Sequence, residues 1–218
     1  MPITRRQELL HWAQERPERI ILEDDYDSEF RFVGRPIPTL FSIDGGEQVV
    51  YLNTFSKTIA PSIRISFMVL PRHLLADFQE KLGFYACTVS AFEQYTLASF
   101  LSGGYYEKHL SRMRKHYRQK RDAVIGAVRQ SPLADRATIT EEDAGLHFLL
   151  RLDGAPPDDV LRREAETRGV RLAMLSDYYQ QPEDAPQHVL VVNYTGIDIE
   201  KLPAALERLA ELWKQGIA

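Results

Sequence analysis

Apolar residues in the first third of the chain come in short continuous runs rather than in alternation. Ile20, Ile21 and Leu22 form one run, Val49, Val50, Tyr51 and Leu52 a second, and residues 63–70 a third. Runs this short and this apolar predict strands of a sheet covered on both faces. The first stops at Glu23, Asp24 and Asp25, and a polar loop with Gly34, Pro36 and Pro38 follows. The second runs directly into Asn53-Thr54-Phe55-Ser56-Lys57. Ahead of these strands, Thr4 and Gln7 have capping-box spacing, and Leu9, Leu10 and Ala13 share a face, predicting a helix closed by Pro17.

The middle of the chain reads as helix. One helix covers residues 73–82. A second is capped by Ser90 with Glu93 and ends at Gly103-Gly104, and a long basic helix over 106–129 stops at Ser131-Pro132. The last third changes character: strands over 137–140, 146–152, 170–175 and 189–194, with helices over 158–168 and 198–214. This organisation predicts an α/β part over residues 1–130, which includes the long bridging helix, and a small C-terminal α+β domain over 131–218.

The 218 residues are 44% hydrophobic, enough for a sizeable core, and the net charge of −4 asks for neither nucleic acid nor an anionic membrane as partner. No apolar run approaches the roughly 20 residues that span a bilayer, and Met1-Pro2-Ile3-Thr4-Arg5-Arg6 lacks a secretory apolar stretch. A cytoplasmic protein without membrane contact is expected. The single cysteine, Cys87, cannot form an internal disulfide, and among Phe84, Tyr85 and Phe92 it reads as a small buried hydrophobe. The histidines, His109, His116 and His147 among them, show no metal-binding spacing, so no metal is expected. The long helix carries Lys108, Arg112, Arg114, Lys115, Arg118, Lys120, Arg121 and Arg129. A nucleic-acid face fits that charge, but the acidic balance and the lack of a groove-binding motif favour a solvated interdomain helix.

Lys57 follows an apolar strand within Thr54-Phe55-Ser56-Lys57-Thr58. A lysine amine attacks a carbonyl only after losing its proton, which a partly buried, cation-rich site favours. The hydroxyls of Thr54, Ser56 and Thr58, with Arg64 seven residues on, are suited to an anion such as a phosphate. From this stretch alone, a surface lysine in a polar turn fits as well. Asp24 and Tyr26 stand at the carboxyl end of the preceding strand, the end where open α/β sheets bind ligands. A carboxylate there keeps a pyridine nitrogen protonated, and a tyrosine hydroxyl bonds a phenolic oxygen. A solvated acidic turn or a helix N-terminus is the plainer reading of Glu23, Asp24, Asp25 and Asp27.

Together, Glu23-Asp-Asp-Tyr-Asp-Ser-Glu-Phe-Arg31 and Thr54-Phe-Ser-Lys-Thr-Ile-Ala-Pro-Ser-Ile-Arg64 resemble the aminotransferase-like domain of MocR-type regulators in the GntR superfamily. Gly104-Tyr-Tyr-Glu-Lys-His109, with Arg112, Arg114, Tyr117 and Arg121, is similar to that family, as is Ala144-Gly-Leu-His147. The resemblance spans nearly the whole chain in order. It implies a partial fold-type I large domain followed by a small α+β domain, binding pyridoxal 5'-phosphate (PLP) with Lys57 as the Schiff-base lysine. It places Asp24 on the pyridine nitrogen, Tyr26 on the phenolic oxygen, and Thr54, Ser56 and Arg64 near the phosphate. Arg171, in Gly169-Val-Arg-Leu172, becomes the residue that grips an effector carboxylate.

Glycine is usual in the family where this chain has Ser62 and Ser66. Aspartate-type aminotransferases place a carboxylate-binding arginine where this chain has Val191, which leans away from that activity. Family members begin with a winged helix-turn-helix DNA-binding domain and the first half of the PLP fold, and this chain starts near the middle of that fold. The expected function is therefore effector sensing in a transcriptional regulator. A small amino compound exchanging at Lys57 would control DNA binding by an N-terminal domain outside this chain, in a homodimer. The alternatives are an aminotransferase of the aminoadipate or kynurenine type and a non-catalytic assembly or dimerisation fragment.

Overall fold

The computed structural model describes residues 1, 3–34, 38–45 and 47–214, without the side chains of residues 213 and 214. Pro36 of the expected polar loop lies outside the described residues. The chain forms two compact units, one of residues 1–29 and 34–113, the other of residues 30–33 and 114–218. The division falls within the long helix, between Met113 and Arg114, rather than at its end near residue 130.

The first unit runs α1 (Ile3–Gln14), β1 (Ile21–Asp24), α2 (Leu40–Asp44), β2 (Val49–Thr54), α3 (Phe55–Thr58), β3 (Ser66–Val69), α4 (Leu75–Leu82), α5 (Ala91–Ser102) and the start of α6 (Tyr105–Gln130). α1 already includes Thr4 and Gln7, so the expected capping box does not form ahead of it. The sheet order is β1-β2-β3, with β1 parallel and β3 antiparallel to β2. Leu10, Leu40 and Val49 form its core, with Ile21 and Phe41 packed against them. Each such burial contributes about 1.5–3 kcal/mol. The Gln48 side chain donates to the carbonyls of Ala13 at 2.8 Å and Arg16 at 3.1 Å, holding the end of α1 against β2.

Cover on both faces is realised only in part. β2 is largely buried, but β1 alternates and β3 is exposed along its length. The capping box of Ser90 and Glu93 forms as expected, yet α4 and α5 bury no residue. Phe92 is 80% exposed and Tyr95 76%, and Cys87 is exposed rather than buried. The apolar pattern here encodes burial that the unit does not itself supply.

In the second unit, β4 (Ala137–Thr140), β5 (His147–Leu152) and β6 (Val189–Asn193) form an antiparallel sheet in that order. The unit also holds α7 (Asp158–Thr167), α8 (Leu202–Lys214) and the second part of α6. Phe148, Leu152, Leu161, Met174 and Leu212 are fully buried. Residues 30–33 join this unit as a short strand-like segment. Phe32 N–H donates to Asp143 at 2.9 Å, and Gly145 N–H to Phe30 at 2.9 Å. Phe30 stands edge-on to Tyr117, with 5.0 Å between centroids.

The strand expected over 170–175 does not form. A single bridge joins Met174 to Leu190, one further bond runs from Val191 N–H to Ala173, and Leu175–Tyr178 is a 3-10 turn. Asp177 ends the pairing by accepting the Met174 amide at 3.0 Å.

Candidate functional site

Register positions the candidate residues of the first unit. Ile21, Leu22, Glu23 and Asp24 pair in parallel with Val49, Val50, Tyr51 and Leu52, and Asp25 N–H donates to the Leu52 carbonyl at 2.9 Å. β1 and β2 therefore finish at the same edge of the sheet. There Asp24 and Tyr26 follow one strand, and Thr54, Ser56 and Lys57 the other. α3 packs its Phe55 ring against Phe67 at 5.6 Å and Tyr106 at 6.0 Å, which fixes the segment that carries the lysine.

The carboxylates on either side of Asp24 in sequence have defined roles. Glu23 caps α2, accepting the amides of Leu40 at 2.8 Å and Phe41 at 2.9 Å and pairing with Arg6 at 3.2 Å. The helix N-terminus reading of the acidic cluster thus holds for this residue. Asp25 accepts from Ser28 at 2.8 Å and Tyr51 at 2.9 Å. Asn53 Nδ2 donates to Glu29 at 3.1 Å and to the Tyr51 hydroxyl at 2.9 Å. Burial pushes the Glu29 carboxyl up from its ordinary value and the Tyr51 phenol far up, so Tyr51 stays protonated. Asp24 is exposed and accepts no hydrogen bond among the described residues.

On the other strand, Lys57 is exposed rather than partly buried. Thr54 caps α3: its hydroxyl accepts the Ser56 amide at 3.1 Å and donates to Ile65 at 3.1 Å. That hydroxyl proton is committed to the loop around Arg64, so Thr54 supports an anion site by shaping it. Ser56 and Thr58 are buried, and the Thr58 hydroxyl has no partner among the described residues. Arg64 is exposed and adopts a left-handed backbone with φ of 50°. The Ser56 hydroxyl and the exposed Arg64 guanidinium have the chemistry to hold a phosphate, and the exposed Asp24 carboxylate that to meet a pyridine nitrogen, as PLP would need.

Asp24, Tyr26, Thr54, Ser56, Lys57 and Arg64 all belong to the first unit, and Arg171 to the second. Arg171 is exposed and lines a cavity with Arg162, Glu166, Leu172 and Asp177. Several cations of α6 serve the second unit internally. Arg118 donates to Phe32 O at 3.3 Å, Lys120 to Thr195 O at 2.7 Å, and Arg121 to Glu142 O at 2.8 Å while lying 4.8 Å from the Phe32 ring. These engagements weaken the nucleic-acid reading of that helix. Among the described residues, no group of acidic, histidine or cysteine side chains is placed to hold a metal, and no helix is long and apolar enough to cross a membrane.

Sequence reasoning overlooked Tyr51 and Asn53. The available signal was their two-residue spacing, which sets two polar side chains on one face of an apolar strand.

The chain matches no protein-family model. It is 40% identical over 98% of its length to an uncharacterized HTH-type transcriptional regulator of Bacillus subtilis, YhdI, of which it covers 45%. It is 38% identical over 89% of its length to the probable rhizopine catabolism regulatory protein MocR of Rhizobium meliloti, covering 39% of it. Pyrococcus horikoshii kynurenine aminotransferase, solved with PMP, superposes on the whole chain with a TM-score of 0.84 and 29% identity, and the match takes in 53% of that enzyme. The fold is that of the fold-type I aminotransferases. Within that class the chain is similar in sequence to the C-terminal part of the HTH-type regulators YhdI and MocR. It spans about half the length of the relatives it matches.

Proposed function

We propose that this chain is the PLP-binding, effector-sensing part of a transcriptional regulator. The observation that carries this reading is the common end of β1 and β2, where Asp24, without a side-chain donor among the described residues, closes one strand and the helix bearing Lys57 follows the other. PLP, when bound, supplies an aldehyde that condenses reversibly with amines. Lys57 would hold it covalently. Asp24 would keep its ring nitrogen protonated, Tyr26 would bond its phenolic oxygen, and Ser56 and Arg64 would hold its phosphate. Thr54 maintains the loop that presents Arg64.

A small amino compound competing with Lys57 for the same carbonyl releases the lysine, and Arg171 is proposed to meet the carboxylate of such an effector. The released lysine biases the domain toward a second conformation, and a DNA-binding domain elsewhere in the complete regulator reads the change. Action in the cytoplasm as a homodimer belongs to the same proposal. Val191 supports the regulator over an aspartate-type aminotransferase, since a carboxylate-binding arginine would be expected there. An aminotransferase of the kynurenine or aminoadipate type remains the second reading, favoured by the superposition on a kynurenine aminotransferase.

The test is DNA binding by the complete regulator that carries this segment, with and without PLP and a panel of amino compounds. The proposal expects binding to change with cofactor and amine. Identical binding under all conditions overturns it, and steady transamination of an amino acid with a keto acid moves the assignment to the enzyme.

A further inference from the structure

We propose that Tyr51 and Asn53 are positioning residues that clamp the turn bearing Asp24 and Tyr26 onto the strand that leads to Lys57. The inference rests on the reading of Lys57 as the PLP lysine and deepens it. Tyr51 and Asn53 are two residues apart on β2 and so share a face. Both hydrogens of the Asn53 amide are used, one on Tyr51 at 2.9 Å and one on Glu29 at 3.1 Å. Tyr51 passes its own proton to Asp25 at 2.9 Å, which also accepts from Ser28. The direction of donation is thus fixed from Asn53 through Tyr51 to Asp25, and from Asn53 to Glu29.

This chain of bonds pins the turn at residues 25 and 29, on either side of Tyr26 and directly after Asp24. It also answers an electrostatic problem. Asp25 and Glu29 are like charges brought to one strand, and neutral donors let both approach without a third charge. An aspartate at position 53 would add a carboxylate where a donor is needed, and glycine or alanine would leave Tyr51 and Glu29 unbridged. Asn53 is 6% exposed, so water does not readily replace its amide. Their hydrogen bonds go to the turn and to each other, so they would act on the cofactor by fixing where Asp24 and Tyr26 stand.

The experiment compares the chain with its Tyr51→Phe and Asn53→Ala variants. One readout is hydrogen exchange of the amides of residues 24–29, with those of α1 as internal reference. The other is PLP titration with the absorbance maximum of the lysine-bound chromophore. Tyr51→Phe keeps the ring and removes only the hydroxyl, so it guards against a variant that fails to fold. The proposal expects faster exchange confined to the turn, about tenfold weaker PLP binding, as for residues that orient a ligating group, and a displaced absorbance maximum. Unchanged exchange in the turn overturns it. So does a loosened turn with unaltered PLP affinity and spectrum, which makes the network merely structural. Absence of the chromophore in the unsubstituted chain removes the lysine–PLP reading itself, whereas loss confined to the variants leaves that reading intact.

Discussion

Asp24 pairs in parallel register with Leu52, two residues before the Thr54 that caps the lysine-bearing α3. Backbone hydrogen bonds lock the register of the strands, and so fix which residues stand at the ends of β1 and β2. A slip of one residue would turn every side chain of β1 to the opposite face. Placement of this kind suits a site that must meet a flat ring with two groups at once.

Arg64 sits in a left-handed conformation that costs a side-chain-bearing residue about 1 kcal/mol. Arg64→Gly should leave the stability of the chain within about 0.5 kcal/mol, relief of strain being offset by a more flexible unfolded state. Arg64→Val, branched at Cβ, should lose more than about 1 kcal/mol. Both should lose phosphate-dependent cofactor binding. Chemical denaturation read alongside PLP titration separates the two effects, and equal stability of the two variants would remove the argument from strain.

Burial raises the Glu29 carboxyl above its ordinary value, with Asn53 opposing the shift by its hydrogen bond. A carboxyl raised on folding binds its proton more tightly in the folded state. Its contribution is therefore fully present below the ordinary glutamate value and is lost as pH rises through the raised one. Glu29→Gln keeps an acceptor for Asn53 and has no proton to lose. The variant should show a flatter pH dependence of stability in that window and greater relative stability at neutral pH. Thermal unfolding at a series of pH values checks this, and parallel curves for the two proteins would refute it.

Asp158 organises the second unit. It is buried, accepts the Ser176 hydroxyl at 2.6 Å and the His188 amide at 2.7 Å, and holds His188 at a φ of 64°. Asp158→Ala strands both donors and should cost about 2 kcal/mol or more, with Asp158→Asn costing less because it keeps one acceptor. Equilibrium denaturation gives the difference directly. A loss below about 0.5 kcal/mol for the alanine variant would mean that the contacts carry no net stability.

The apolar surface of α5 leads to a solution property. Aromatic side chains on a helix are ordinarily covered, yet α5 buries no residue, and Phe92 and Tyr95 lie open. The isolated chain should associate in a concentration-dependent way, and Phe92→Glu with Tyr95→Glu should reduce that association. Sedimentation velocity over a range of concentrations measures it, and a strictly monomeric parent chain would contradict the expectation.

Much of the architecture is readable from local signals. The Ser90 and Glu93 capping box, the strand at 137–140 and the strand leading to Lys57 all depend on residues close in sequence, and each forms where the pattern places it. The misses depend on distant partners. Residues 170–175 have the composition of a strand, but pairing needs a free edge along their whole length, and Asp177 closes it after one bridge. Cys87 and its aromatic neighbours carry the signature of a core that their own unit does not cover. At the site, Lys57, Asp24 and Arg64 are singled out by the motif resemblance, since the local pattern alone fits a surface lysine and an acidic turn equally well. The spacing of Tyr51 and Asn53 puts both on one face of β2, but their partners Asp25 and Glu29 are set only once β1 and β2 are paired.

The most direct test of the central claim is a PLP titration of this chain and of Lys57→Ala, followed by borohydride reduction and mass analysis. Lys57 is exposed, so its removal should leave the fold intact, with a stability change within about 0.5 kcal/mol. The account predicts a visible chromophore in the parent chain that reduction fixes covalently on Lys57, and no such adduct in the variant. An adduct that persists in Lys57→Ala, or a parent chain that forms none, would contradict the assignment of Lys57 as the cofactor lysine.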